Sequence, residues 1–440
     1  MKYIIFLKKW RIRTVTQSHV SSRQSKKHVF LNPSREQKMF QKPKRGMNMT
    51  LREEVKAIEP EVIALRRNFH MHPELGTQEF RTAQRVEEYL QALGIRTERM
   101  FNTGVVGYLE GGKPGKTLLL RADMDALPVE EINKVPYASQ NKGIMHACGH
   151  DGHTAMLLGA AKVLASHKED LAGTIKFVFQ PNEEEGGACY MVQEGVLENP
   201  KVDASLALHL WSQLPSGVIG FSAGPLMAEM YNFRIVLKGK SGHTSAPQEG
   251  IDPILCAANI IQSVQMIQSR EIGPMEATCI VFGMIHGGTK SNIIPETVEM
   301  EGTLRYLYDG DDNSPQQPRK RFERIVKAIA EAHRVEAEVT FAVSNYILLN
   351  DEKFVAFLKE KVLPGILPND KVVPFMCMGG EDFSEFCSRN NVPGALMFLG
   401  IADPEKGSDK PHHAPDFNID EDMLAVGVEA FVKTAFEFLK

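Results

Sequence analysis

The chain reads as an α/β protein: a mixed, largely parallel sheet, interrupted by an inserted βαββαβ, ferredoxin-like unit. Three observations predict this. Strand-like and helix-like runs alternate from about residue 50 to residue 210, the signature of a largely parallel sheet. Near Tyr231 the order changes to strand, helix, strand, strand, helix, strand, the split-βαβ sandwich. At 440 residues the chain also exceeds what one ordinary core holds, so two or three domains are expected.

Regular structure is expected from Thr50. Residues 51–70 set Val55, Ile58, Val62, Ile63 and Leu65 at helical spacing, and the segment His70 to Gly76, with Pro73 inside it, ends that helix. A second helix, about 82–93, stops at Gly94. Short β-rich runs follow at 104–109 and 117–120, the latter running into Arg121-Ala-Asp-Met-Asp125. Residues 153–166 form a small-residue apolar helix, and the strand 174–179 leads into the turn 180–187. A helix at 188–194 precedes a strand, 204–208, that ends at His209. The insert supplies strands 232–238, 277–284, 296–307 and 336–343 and helices 252–268 and 318–333. Helix and strand resume at Asp351, with apolar runs at 372–376 and 395–399 and a closing helix from Asp420. Residues 47–228 and 345–440 are therefore expected to form one domain and residues 229–344 another.

Composition narrows the class. Hydrophobic residues at 43% and charged residues at 24% are ordinary for a soluble globular chain. The longest early apolar run, Tyr3 to Leu7, is too short for a bilayer crossing or a secretory segment. Six cysteines without framework spacing read as reduced thiols, which predicts a cytoplasmic protein. Residues 1–46 hold 13 basic residues against Glu36 alone, while the remainder carries 38 basic and 54 acidic ones. The tail is expected to be disordered, or absent from the native product through initiation at Met47 or Met49. An acidic body argues against nucleic acid as partner or substrate, and no membrane partner is expected.

The chemistry concentrates in His146-Ala-Cys-Gly-His-Asp-Gly-His153, one thiol, three imidazoles and a carboxylate in eight residues. Sulfur and imidazole nitrogen side by side suit zinc and its transition-metal neighbours. A loop that merely caps the following helix would look similar. Four further segments carry metal-type groups near predicted strand ends, where loops converge: Asp123/Asp125, Glu183/Glu184, His209 and His412/His413. Each alone has a bland reading as a hydrogen-bonded structural group or a helix-dipole partner; together they point to a metal centre. Adjacent glutamates diverge, so one can face metal while its neighbour faces water, the division that amide hydrolysis needs. A structural zinc knuckle lacks its second Cys or His pair. A thiol hydrolase built on Cys148 and a histidine competes, but leaves the double glutamate unexplained.

Arg121-Ala-Asp-Met-Asp-Ala-Leu-Pro128, His146–His153, Phe179-Gln-Pro-Asn-Glu-Glu184, Gly380-Glu-Asp-Phe383 and His413-Ala-Pro-Asp-Phe417 resemble the metal-dependent aminoacylase/carboxypeptidase amidohydrolases. Their branch of N-acyl-amino-acid, hippurate and auxin-conjugate hydrolases is most similar, and Arg66-Arg-Asn-Phe-His70 with Pro73-Glu-Leu-Gly76 fits it too. The resemblance runs over about residues 50–440. It implies a catalytic domain holding two divalent ions, zinc or manganese, with cobalt or nickel also acceptable to such ligands. It implies Cys148 as a bridging thiolate, with His150, Glu184, His209 and His413 as the other ligands. Glu183 matches the general base and acid, and Asp125 a carboxylate that orients a ligand. Asp123 stands where related branches carry a ligand histidine and is left unassigned. The insert resembles a lid or dimerisation domain whose His243, often delivered from the partner subunit, stabilises the oxyanion, while Asn292 and Arg305 hold the substrate carboxylate. Glu381-Asp382 reads as a helix cap in preference to a hydrogen-bond network. Asn182 departs from the usual alanine and the turn 185–187 looks short, which leaves the shape of the acyl pocket open.

The implied activity is hydrolysis of the amide of an N-acyl amino acid to a carboxylic acid and an amino acid, by a homodimer. A carboxypeptidase or a dedicated deacetylase, for instance of N-acetyl-diaminopimelate, would use the same residues. A catalytically silent acyl-amino-acid-binding relative would be expected to lack Glu183 or a ligand, and all are present.

Overall fold

The computed structural model describes residues 49–308 and 316–440; the basic tail 1–46 lies outside them. The first helix, Leu51–His70, starts in a capping box: Thr50 Oγ1 accepts the Glu53 N–H at 3.3 Å and Glu53 returns a carboxylate oxygen to the Thr50 N–H at 2.7 Å.

The strands run β1 (Arg96–Met100), β2 (Gly104–Glu110), β3 (Lys113–Asp123), β4 (Ala172–Gln180), β5 (Ala204–Pro215), β6 (Ile219–Gly220) and β7 (Gly224–Met227). Then come β8 (Glu229–Lys238), β9 (Gly242–His243), β10 (Ala277–Gly287), β11 (Ile293–Ile294), β12 (Thr297–Leu307) and β13 (Glu336–Asn345). The last are β14 (Leu348–Asn350), β15 (Val372–Val373) and β16 (Gly394–Ala402). Eight of them form one sheet in the order β1-β2-β4-β3-β5-β16-β6-β15. Its centre, β4-β3-β5-β16, is parallel, and its β1-β2-β4 flank is antiparallel. Parallel central strands covered on both faces should be apolar throughout, and Leu118, Leu119 and Leu120 on β3 are indeed fully buried.

The helix His150–Ser166 packs between Leu51–His70 and the closing helix Asp422–Phe438. Every residue from His150 to Leu164 is buried, so the helix is apolar around most of its girth and has no solvent face. Gly159 allows the close approach: a Cβ there would stand 2.8 Å from Val62 Cγ2 and 3.0 Å from Val428 Cγ2.

The second sheet is wholly antiparallel, ordered β10-β12-β8-β13, and is backed by the helices Pro253–Val264 and Pro318–Ala332 around a separate hydrophobic core. Its element order is the expected βαββαβ. Several expected boundaries differ. The strand bearing His209 continues to Pro215, the run 372–376 contributes only Val372 and Val373, and the helix bearing His150 begins at that residue. Strand β5 outlasts its pairing with β3, which ends at Arg121↔Ala207, because β16 continues beside it. No helix among the described residues is long and apolar enough to cross a membrane.

Candidate metal centre

Three neighbouring parallel strands bring the ligand-type residues to one place. Strand β3 ends at Asp123 and runs into Asp125, β4 leads into the turn Glu183–Glu185, and β5 carries His209 just past the end of its pairing with β3. The loop before the helix His150–Ser166 supplies Cys148. Gly149 precedes that helix at φ 93°, a left-handed turn that aims Cys148 and His150 at one point. His413, itself left-handed at φ 65°, is anchored by its N–H on Ala147 O at 2.8 Å.

The ligand atoms of Cys148, His150 and His209 lie within 4.8 Å of one another, and so do those of Cys148, Glu184 and His413. Cys148 belongs to both triads. His150, Glu183 and Glu184 form a third group at the same spacing. These donors fit divalent ions of the zinc and manganese kind by chemistry and by an orphaned atom. His150 Nε2 is buried without a hydrogen-bond partner, and Glu184 Oε1 faces His413 Nε2 at 3.3 Å. The other ring nitrogen of His150 lies 2.9 Å from Asp125 O and 3.2 Å from Asp125 Oδ1, which fixes the tautomer and leaves Nε2 bare. His209 Nδ1 meets Leu210 O at 2.8 Å, leaving Nε2 3.8 Å from Cys148 Sγ. Asp125 Oδ2 accepts the Glu184 N–H at 3.1 Å, so one carboxylate positions two of these residues.

Two nearby histidines are spent differently. His153 Nδ1 sits 2.6 Å from Asp123 Oδ1 and its Nε2 accepts the Leu210 N–H at 2.8 Å. His412 has Leu210 O at 3.0 Å on Nε2 and Ser212 Oγ at 3.2 Å on Nδ1. Neither has a nitrogen left for a metal. Asp123 is likewise occupied, by His153 and by the Arg121 guanidinium at 2.7 Å.

The electrostatics describe a site that holds protons where cations would displace them. Burial and then the Glu184 charge push the Cys148 thiol up, the wrong direction for a free nucleophilic thiolate. Hydrogen bonds to Cys148 and Glu184 raise His413 to about 10. His209 is pushed well below its usual range by burial and the neighbouring His153. Glu183, 8% exposed, is raised well above the carboxylate range by burial and then by Glu381, Glu184 and Asp382.

Beneath Glu183 lies a buried ionic network that its sequence neighbourhood did not reveal. Arg121 donates to Gln180 Oε1 at 2.7 Å, Asp123 Oδ2 at 2.7 Å, Glu381 Oε1 at 3.0 Å and Asp382 Oδ1 at 3.2 Å. Glu381 also caps its helical turn by accepting the Phe383 N–H at 2.9 Å, so the segment is both cap and network. The signal was the shared polarity of Arg121 and Gln180 on adjacent buried strands.

A cleft of about 350 Å³ opens over the cluster, lined by Cys148, Glu183, Glu184, His209 and His413 together with Arg305. Arg305 reaches in from β12, with Nη1 2.8 Å from Met378 O. His243 and Asn292 do not line it. They lie together on the smaller sheet's side, where β9 pairs β11 and the Thr244 N–H reaches Asn292 O at 3.3 Å, and His243 is exposed.

The pattern of peptidase family M20/M25/M40 matches residues 119–437. The chain belongs to this family. It is 42% identical over 393 residues to a thermostable carboxypeptidase of Saccharolobus solfataricus, a match covering 88% of this chain and 98% of that one. An N-acyl-L-amino acid amidohydrolase of Geobacillus stearothermophilus is 44% identical over 290 residues, 65% of this chain and 77% of the relative. Among solved structures, a dinuclear metal-binding M20 peptidase of Bacillus subtilis superposes with a TM-score of 0.75 at 32% identity, covering 87% of this chain and 99% of the other. This family member is a metal-dependent amidohydrolase, an enzyme that hydrolyses amide bonds.

Proposed function

We propose that the enzyme cleaves N-acyl amino acids into a carboxylic acid and an amino acid, with two divalent cations, zinc or manganese, at the cluster. The observation that carries this reading is Cys148, whose sulfur belongs to two ligand triads at once. One ion would be held by Cys148, His150 and His209 and the other by Cys148, Glu184 and His413. When bound, such ions supply Lewis acidity, polarising the carbonyl and lowering the pKa of water.

The chain's own residues perform the rest. Glu183 takes the proton of the attacking water and returns it to the departing amine; its burial and carboxylate neighbours suit it to hold that proton between the two steps. Asp125 keeps the His150 ring and the Glu184 backbone in place. Arg305 offers planar paired donors to the substrate carboxylate.

His243 and Asn292 reach a cleft as the resemblance implies when a second copy delivers them. A homodimer through the 229–344 unit, acting as lid and dimerisation domain beside a catalytic unit of 47–228 and 345–440, is therefore part of the reading. Edge strand β10 supports it, with Val281, Met284 and Ile285 each about half exposed. Unpaired apolar edges favour strand addition by another chain. The carboxypeptidase relative supports a second substrate, since a peptide's C-terminal residue presents the same carboxylate and amide.

The test is a hydrolysis panel of acetyl-, benzoyl- and long-acyl-amino acids and dipeptides, on chelator-stripped enzyme and on enzyme restored with zinc or manganese. Amino acid release only after restoration is expected. No release from any acyl amino acid by the restored enzyme overturns the proposal.

A further inference from the structure

One wall of the cleft is apolar, and it stands beside Arg305. Met230 on β8 is the direct cross-strand partner of Arg305 on β12, so their side chains share a face of the sheet. The carbonyl that anchors Arg305 belongs to Met378, and the next residue, Gly379, lies against the rest of the wall. A Cβ on Gly379 would stand 3.0 Å from Met227 Cε and 4.0 Å from Trp211 Cη2. Gly379 O in turn accepts the Ala228 N–H at 2.9 Å, which fastens this strip to the residue after Met227. Trp211 is held between the His412 and Phe398 rings, at centroid distances of 4.5 and 4.7 Å. Trp211, Met227, Met230, Gly379 and Arg305 all line the cleft.

We propose that this wall reads the side chain of the leaving amino acid, selecting bulky apolar residues of the leucine, methionine and phenylalanine class. The inference rests on Arg305 holding the substrate carboxylate: a carboxylate fixed there puts the side chain on the same α-carbon against Met230, Met227 and Trp211. Thioethers are deformable, so the wall accepts branched and aromatic shapes alike. A charged side chain would be buried there without a partner, which disfavours it. Discrimination thus falls on the residue released rather than on the acyl group. The same wall would read the C-terminal residue of a peptide.

The experiment compares kcat/KM of metal-replete enzyme on N-acetyl-glycine, N-acetyl-leucine, N-acetyl-phenylalanine and N-acetyl-glutamate, repeated with benzoyl in place of acetyl. Leucine and phenylalanine should exceed glycine and glutamate by about ten- to a hundredfold, whichever acyl group is used. Met230→Ala should shrink the leucine-to-glycine ratio by about tenfold, and Trp211→Phe should shift the ratio of phenylalanine to leucine. Ratios within twofold in the wild type, or an intact leucine-to-glycine ratio in Met230→Ala, overturn the inference while leaving the amidohydrolase reading standing. Failure to cleave any of the substrates overturns both.

Discussion

Imidazoles at the site differ in what their second nitrogen does, and this separates candidate ligands from scaffold. His150 and His209 each have one nitrogen held by an oxygen and the other facing the cluster, whereas His153 and His412 have both engaged. Asp125 matters through this pattern. Asp125→Ala is expected to weaken metal binding about 10–100-fold, measured by competition with a chelator; unchanged affinity would show that His150 needs no orienting carboxylate. Glu79 makes a separate prediction. Its carboxylate accepts from Thr103 Oγ1 at 2.7 Å and from the Asn182 N–H at 2.9 Å, yet burial outweighs both and lifts it to about 7. Between its ordinary value of 4.5 and about 7 the folded protein therefore holds a proton the unfolded chain has lost. Glu79 thus favours the fold fully below that window, and this contribution is lost as pH rises through it. Denaturant unfolding across pH 4.5–7 should show this slope in the wild type and its loss in Glu79→Gln; parallel profiles would contradict it.

Elements were legible where periodicity was local. The helices from Leu51, Pro253 and Pro318 and the four long strands of the smaller sheet stand within a few residues of where their apolar spacing put them. Two-residue strands such as β6, β9 and β11 were not, because pairing partners rather than propensity create them. The end of β5 was misread because β16, nearly two hundred residues later, sustains it. The ligand-type segments could be read because motifs sit where strands give way to loops. The ionic network could not, since Arg121 and Glu381 are 260 positions apart. The turn before the His150 helix yields a prediction at this scale. Gly149→Ala forces a side chain into a left-handed conformation and should cost about 1–2 kcal/mol of stability, read by chemical denaturation. It should also lower metal affinity, since Cys148 and His150 flank it. Unaltered stability would mean that the turn tolerates a Cβ.

At the scale of the whole molecule, the cleft of one chain holds Glu183 and Arg305 but neither His243 nor Asn292. If His243 serves the neighbouring cleft as an oxyanion donor, His243→Ala should lose about 10²–10³ in rate. Mixing that variant with Glu183→Gln, each nearly inactive alone, should restore about a quarter of wild-type activity through hybrid dimers of two-fold symmetry. No recovery on mixing would place His243 outside the partner's reaction. Beneath the assembly lies the claim on which the rest depends, that buried Glu183 carries the proton while its neighbours hold the ions. The most direct measurement is metal content and turnover on the same preparation of Glu183→Gln. The account predicts the full wild-type complement of metal with kcat reduced by about 10²–10⁴. Near-normal turnover in a metal-replete Glu183→Gln enzyme would contradict it.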